Sequence, residues 1–214
     1  MEKRPMTEAE LEELLATKHV DLMADFDKII AYCQTLFRDK NCDYGPSWLL
    51  YRPESLNDEI WRKAKRIRTL EEHNDEMLIP EGRDVEYIGI INYCVMFLIK
   101  LDMAKTGDLD MTERLTELDA YDNDRLFQAY AEHVKTIRRL LQKKNTDYGD
   151  AWKGMSLYAM TDQVIIRSYR IRRILMNKGE VKVSEGVSSQ LHDIINYCIF
   201  GLIKLHTPLI DWEA

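Results

Sequence analysis

The sequence predicts an all-α protein: a pseudo-two-fold helical bundle built from a tandem duplication, with about four helices in each copy. Three observations predict it. The pattern K-N-x-D-Y-G-x-x-W occurs twice, at Lys40–Trp48 and at Lys144–Trp152. The segments 40–101 and 144–205 align without a gap, and 22 of their 62 residue pairs are identical, too many for a local coincidence. Apolar residues recur at three and four along both segments, and no strand-like alternation competes with them.

The elements follow in order. Thr7-Glu8-Ala9-Glu10 is a capping box ahead of Leu11, Leu14 and Leu15, so a short helix is expected over about 7–17. Phe26, Ile29, Ile30, Cys33, Leu36 and Phe37 lay an apolar stripe along a second helix, about 20–39. The motif from Lys40 onward then reads as a loop, because Asn, Asp and Gly favour turns and Pro46 cannot continue a helix. Tyr44 and Trp48 are bulky enough to pack that loop down. A third helix is expected from Asn57-Asp58 to Glu72, which would place Asp58 in a first turn, where the helix dipole favours a carboxylate. After a polar linker, His73 to Gly82, the fourth helix spans about Asp84–Met103 and is apolar on nearly every face.

The second copy repeats this plan at about 112–118, 123–143, 161–177 and 188–206. Lys178-Gly179 suits the end of its third helix. The halves divide at about 106/107 (1–106 and 107–214) and are expected to pack as one globular unit. A duplicated chain commonly forms the covalent version of a symmetric dimer. The two apolar fourth helices are therefore expected to meet near the pseudo-axis.

Composition narrows the function. A net charge of −7 argues against a protein held on nucleic acid by bulk charge. Cys33, Cys42, Cys94 and Cys198 lack zinc-site spacing; Cys94 and Cys198 read as buried small hydrophobes of a reducing compartment. The N-terminus carries no apolar signal segment, and the apolar runs near 87–99 and 194–203 fall short of the roughly 20 residues of a membrane helix. A cytoplasmic, non-membrane protein is expected, with homodimerisation left open.

Each half offers the same polar set. Asp43 and Tyr44, or Asp147 and Tyr148, stand beside Asn41 or Asn145 in the motif. Lys63 and Arg66, or Arg167 and Arg170, share one flank of the third helix. Asn92-Tyr93 and Asn196-Tyr197 lie inside the apolar helix. A buried asparagine costs stability unless its hydrogen bonds are met, so two readings stay open: a cross-axis Asn–Asn or Asn–Tyr bond that fixes register, or a group lining a polar cavity between the halves. The halves differ at Gly89 against Asp193 and at Glu86 against Gln190. This makes the second copy the better candidate for a site.

The residues K-N-x-D-Y-G-x-x-W, the following R-I-R helix and D-I-I-N-Y-C resemble the nucleotide modification associated domain family, first type, known from bacteria and phages. In the second half Asn145, Asp147, Tyr148, Gly149, Arg167, Arg170, Asp193 and Tyr197 match its pattern; in the first half Gly89 replaces the acid. More distantly the layout is similar to all-α nucleoside triphosphate pyrophosphatases of the MazG type. Those hold magnesium with E-x-x-E and E-x-x-D helices, and this chain has D-x-x-N instead, at Asp193 and Asn196.

The resemblance implies no settled reaction; the leading expectation is binding of a nucleotide or related phosphate-bearing small molecule. Lys63, Arg66, Arg167 and Arg170 would meet phosphate, and Tyr44 and Tyr148 a base. Asp147 and Asp193 would be catalytic, or with Asp43 would hold a Mg2+ ion or orient a ribose, with hydrolysis left open. The alternative is a non-catalytic helical scaffold.

Overall fold

A computed structural model describes residues 21–73, 78–79, 81–106, 118, 121–181, 185–206 and 209–210. Within them lie six α-helices: α1 (Leu22–Tyr44), α2 (Pro53–Glu72), α3 (Arg83–Thr106), α4 (Asn123–Tyr148), α5 (Leu157–Met176) and α6 (Val187–Leu205). A 3-10 turn holds the end of each motif, at Ser47–Leu50 and Ala151–Gly154. No strand occurs among the described residues. The short helices expected over 7–17 and 112–118 lie outside these residues, apart from Leu118, which is helical and buried.

The duplication is visible as a pseudo-two-fold arrangement. Helix α2 packs on α5 and α3 on α6 across the axis, while α1 and α4 pack on each other and on the fourth helices. The two apolar helices thus meet as the repeat predicts. One hydrophobic core draws on both halves, with Phe26, Ile60, Ile91, Tyr130, Ile171 and Ile195 fully buried. Each such side chain contributes about 1.5–3 kcal/mol by leaving water. Helix α3 is long and apolar enough to cross a membrane, yet 72% of its apolar window is buried inside the protein.

Two sets of helix boundaries correct the sequence reading. The motif does not leave the helix at Lys40: α1 and α4 run on through Tyr44 and Tyr148. The turn-forming side chains are absorbed by the helix. Asn41 Nδ2 donates to Phe37 O one turn back, at 2.7 Å. The break comes only at Gly45 and Gly149, whose φ values of 60° and 57° favour glycine. The third helix of each half also starts four residues earlier than expected. Pro53 opens α2 at a position that needs no N–H, and Ser156 caps α5 by accepting from Ala159 N.

Asp58 and Asp162 therefore lie in helix interiors, not first turns. They make reciprocal pairs across the axis instead: Arg172 donates to Asp58 at 2.7 Å, and Arg68 to Asp162. All four groups are at least a third exposed, so each pair is worth at most about 1 kcal/mol and mainly sets register.

The lysines of the repeated L-I-K-L fasten the motif to the core. Lys100 is buried on α3 and donates to Leu49 O at 2.7 Å and to Tyr51 O. Its repeat partner Lys204 donates to Lys153 O at 2.8 Å. Burial lowers the Lys100 pKa. Replacing Lys100 by Met orphans two carbonyls and is expected to cost about 1–3 kcal/mol, read as a lowered melting temperature. An unchanged melting temperature would mean that water satisfies those carbonyls.

Candidate functional site

The motif and the fourth helix of each half enclose a cleft. The first, about 410 Å³, is lined by Lys40, Asn41, Tyr44, Trp48, Tyr93 and Met96 among others. The second, about 290 Å³, is lined by the repeat counterparts Lys144, Asn145, Tyr148, Trp152, Tyr197 and Phe200, and adds Arg167, Asp193 and Asn196. Tyr44 and Tyr148 stand at the cleft mouths, 71% and 72% exposed, so only the tryptophan of each motif packs down.

The basic residues are held differently in the two halves. In the first, Glu86 is buried on α3 and accepts from Lys63 at 2.9 Å and from Arg66. Arg66 also donates to Glu81 O at 2.9 Å. Lys63 lies over Gly89, where an added Cβ would meet its Cε at 2.7 Å. The lysine therefore fills the place that the acid takes in the second half. There Asp193 accepts from Lys144 on Oδ1 at 2.6 Å and from Arg167 on Oδ2 at 3.2 Å. The Arg167 guanidinium also sits 4.7 Å above the Tyr197 ring. Two cations share one carboxylate, which leaves the second cleft with a positive excess.

In the first half the motif tryptophan and the helix asparagine both have partners. Trp48 Nε1 donates to Asn41 Oδ1 at 3.0 Å, and Tyr130 Oη donates to Asn92 Oδ1 at 2.8 Å. The second cleft lacks both bonds. Trp152 Nε1 and Asn196 Oδ1 are buried without a hydrogen-bond partner among the described residues.

Each vacancy has a sequence cause. Asp150, which replaces Pro46, draws Asn145 away from the tryptophan by accepting from its Nδ2 at 2.7 Å. The Asp150 carboxyl is held below its usual range by Asn145 first and Lys153 next; the Trp152 N–H adds least and reaches no bonding geometry. Tyr130 on α4 corresponds to Phe26 on α1, which has no hydroxyl to offer Asn196. The two asparagines thus differ. Asn92 makes a cross-axis register bond with Tyr130, whereas Asn196 lines a cleft built within the second half rather than between the halves.

Aromatic walls complete the second cleft. Trp152 stacks on Phe200 with centroids 4.7 Å apart and planes at 4°, and Tyr197 meets Phe200 edge-on.

Not all the sequence candidates converge. Asp43 and Asp147 are exposed and line neither cleft. Lys63 lines a smaller space of about 210 Å³ with Lys40, Gly89, Asn92 and Tyr93. Arg66 is tied to Glu86, and Arg170 faces a separate groove. No group of three His, Cys, Asp or Glu side chains that could hold a metal occurs among the described residues. Both oxygens of Asp193 are occupied by cations. This donor set does not fit a magnesium ion held by protein carboxylates.

Sequence reasoning missed Lys144, Trp152 and Phe200 as lining residues. The signal for the first two was present, since lysine and tryptophan bracket both copies of the motif. Phe200 carried none, because its counterpart is Met96.

A family model described as nucleotide modification associated domain 1 matches residues 40–101 and 144–205. Each match begins at the motif lysine and ends just beyond the buried lysine of the fourth helix. No curated protein and no solved structure matches.

Proposed function

Since the chain belongs to the nucleotide modification associated domain 1 family, we propose that its second cleft binds a nucleotide, with the base against the Trp152–Phe200 wall and a phosphate toward Lys144 and Arg167. The observation that carries this reading is the unpaired Asn196 amide in that cleft. A buried polar group without a partner costs about 1–3 kcal/mol, and a ligand edge relieves that cost. A half-turn of the amide exchanges its oxygen and NH2, so it can meet either an acceptor or a donor on a base.

The volume of about 290 Å³ lies at the small end of ligand sites, which suits one mononucleotide. Arg167 is positioned by three groups. It donates to Asp193 and to the Gln163 side chain, and it lies over Tyr197. Its Nε and Nη1 are thereby engaged, which leaves Nη2 to meet a phosphate. Any magnesium would arrive with the phosphates rather than on protein carboxylates.

The test is a thermal-shift series with nucleoside mono- and triphosphates, with and without magnesium. At about 100-fold excess over Kd, binding raises stability by about 2.7 kcal/mol, a shift of several degrees. Arg167→Ala should abolish the shift. No stabilisation by any nucleotide at millimolar concentration overturns the proposal.

A further inference from the structure

The seam between α5 and α6 carries successive rungs of opposed residues. Arg167 faces Asp193 on the cleft rung, and one helical turn further Arg170 and Gln190 line the same groove. In the first half the corresponding rung is Arg66 with Glu86, a closed ion pair. The duplication thus compares one arginine in two settings. Substituting Gln190 for Glu86 removes the carboxylate but leaves the arginine.

The consequences are visible. Arg170 is exposed and has no ion-pair or hydrogen-bond partner among the described residues, whereas Arg66 has several. Gln190 is 6% exposed, and its Oε1 is unpartnered. The groove it lines, about 1320 Å³, also presents Tyr169, Arg173 and Lys178. Glu180 is the one acid among the described lining residues. The C-terminal dipole of α5 opposes an anion there by about half a charge, which three cations against one acid outweigh.

We propose that this groove is a second anion site, built for the phosphate groups of a polyphosphate or phosphodiester chain. Arg170 and Arg173 supply paired N–H donors, and Gln190 turns its amide NH2 toward the same oxygens. Tyr169, 53% exposed beside the arginines, offers a ring face to a base. The site is distinct from the cleft and does not depend on what the cleft binds.

The decisive variant is Gln190→Glu, which rebuilds the carboxylate the first half already carries. Titration calorimetry with inorganic tripolyphosphate at low salt should show binding to the unaltered chain. Affinity should be weaker by about tenfold or more in Gln190→Glu and in Arg170→Ala. The unaltered melting temperature of Arg170→Ala serves as the fold control, since that side chain is exposed. Lys144→Ala, which removes a cation of the cleft, should leave tripolyphosphate binding unchanged.

A short single-stranded oligonucleotide run in parallel separates the sources. Tighter binding of the strand, with a steep salt dependence, marks a phosphodiester ligand, and tighter binding of tripolyphosphate marks a polyphosphate. The proposal is overturned if Gln190→Glu and Arg170→Ala bind tripolyphosphate as the unaltered chain does. It is overturned equally if Lys144→Ala loses tripolyphosphate as Arg170→Ala does, for then the anion lies in the cleft.

Discussion

Replacing Glu71 by Gln is expected to stabilise the protein above neutral pH by about 3 kcal/mol and to do nothing near pH 4. Glu71 ends α2, is 7% exposed, and accepts from Thr161 Oγ1 at 2.6 Å across the interface between halves. Tyr87 bonds the same hydroxyl at 2.8 Å, so a buried chain of three polar groups joins α2, α3 and α5. Burial pushes the Glu71 carboxyl up to about 7, against the opposing pull of the Thr161 hydrogen bond and Arg83.

The folded state therefore holds a proton that the unfolded chain releases near pH 4.5. Stability from this group is fully present below that pH and is lost as pH rises through about 7. Each unit of the shift corresponds to about 1.4 kcal/mol. Gln keeps the acceptor for Thr161 and never ionises. Urea denaturation of both proteins between pH 4 and pH 8.5 checks this, and parallel curves across that range would show that Glu71 ionises as freely folded as unfolded. The position breaks the symmetry, since its counterpart is the hydrophobic Leu175.

The architecture was legible because a duplication tests itself. Every apolar position that recurs after the same interval is supported twice, and Ile67/Ile171 and Cys94/Cys198 are all fully buried. Helix ends were harder to read, because several residues compete to be the cap. Asp58 looked like a first-turn acid, but Pro53 had already opened the helix. Asp43 and Tyr44 looked like loop residues, but a motif rich in turn formers continued as helix until a glycine adopted positive φ.

The site was legible only in part, for a physical reason. Residue types reveal which groups need partners, but the partner is fixed by packing between halves. Arg167 and Asp193 could be named because they sit on adjacent helices of one repeat. The hydroxyl that reaches Asn92 comes from Tyr130, on the other repeat. Its absence beside Asn196 became readable only once the pseudo-axis paired Phe26 with Tyr130.

That pairing yields the most discriminating expectation: one substitution at two equivalent sites with opposite signs. Asn92→Leu strands the Tyr130 hydroxyl, which is fully buried and donates to Asn92 at 2.8 Å. It should lower stability by about 1–3 kcal/mol. Asn196→Leu removes an amide whose buried oxygen has no partner, and leucine of similar volume suits the apolar surroundings of α6. It should raise stability by about 1 kcal/mol or more.

Ligand binding should show the reverse dependence. Asn196→Leu should weaken nucleotide binding by about tenfold or more, because the base edge loses its polar contact. Asn92→Leu should leave the affinity unchanged. A residue that destabilises the free protein yet strengthens a complex is held for binding, not for folding. Equal losses of stability at both positions would instead make Asn196 a structural residue, satisfied by water, and would remove the observation on which the nucleotide reading stands.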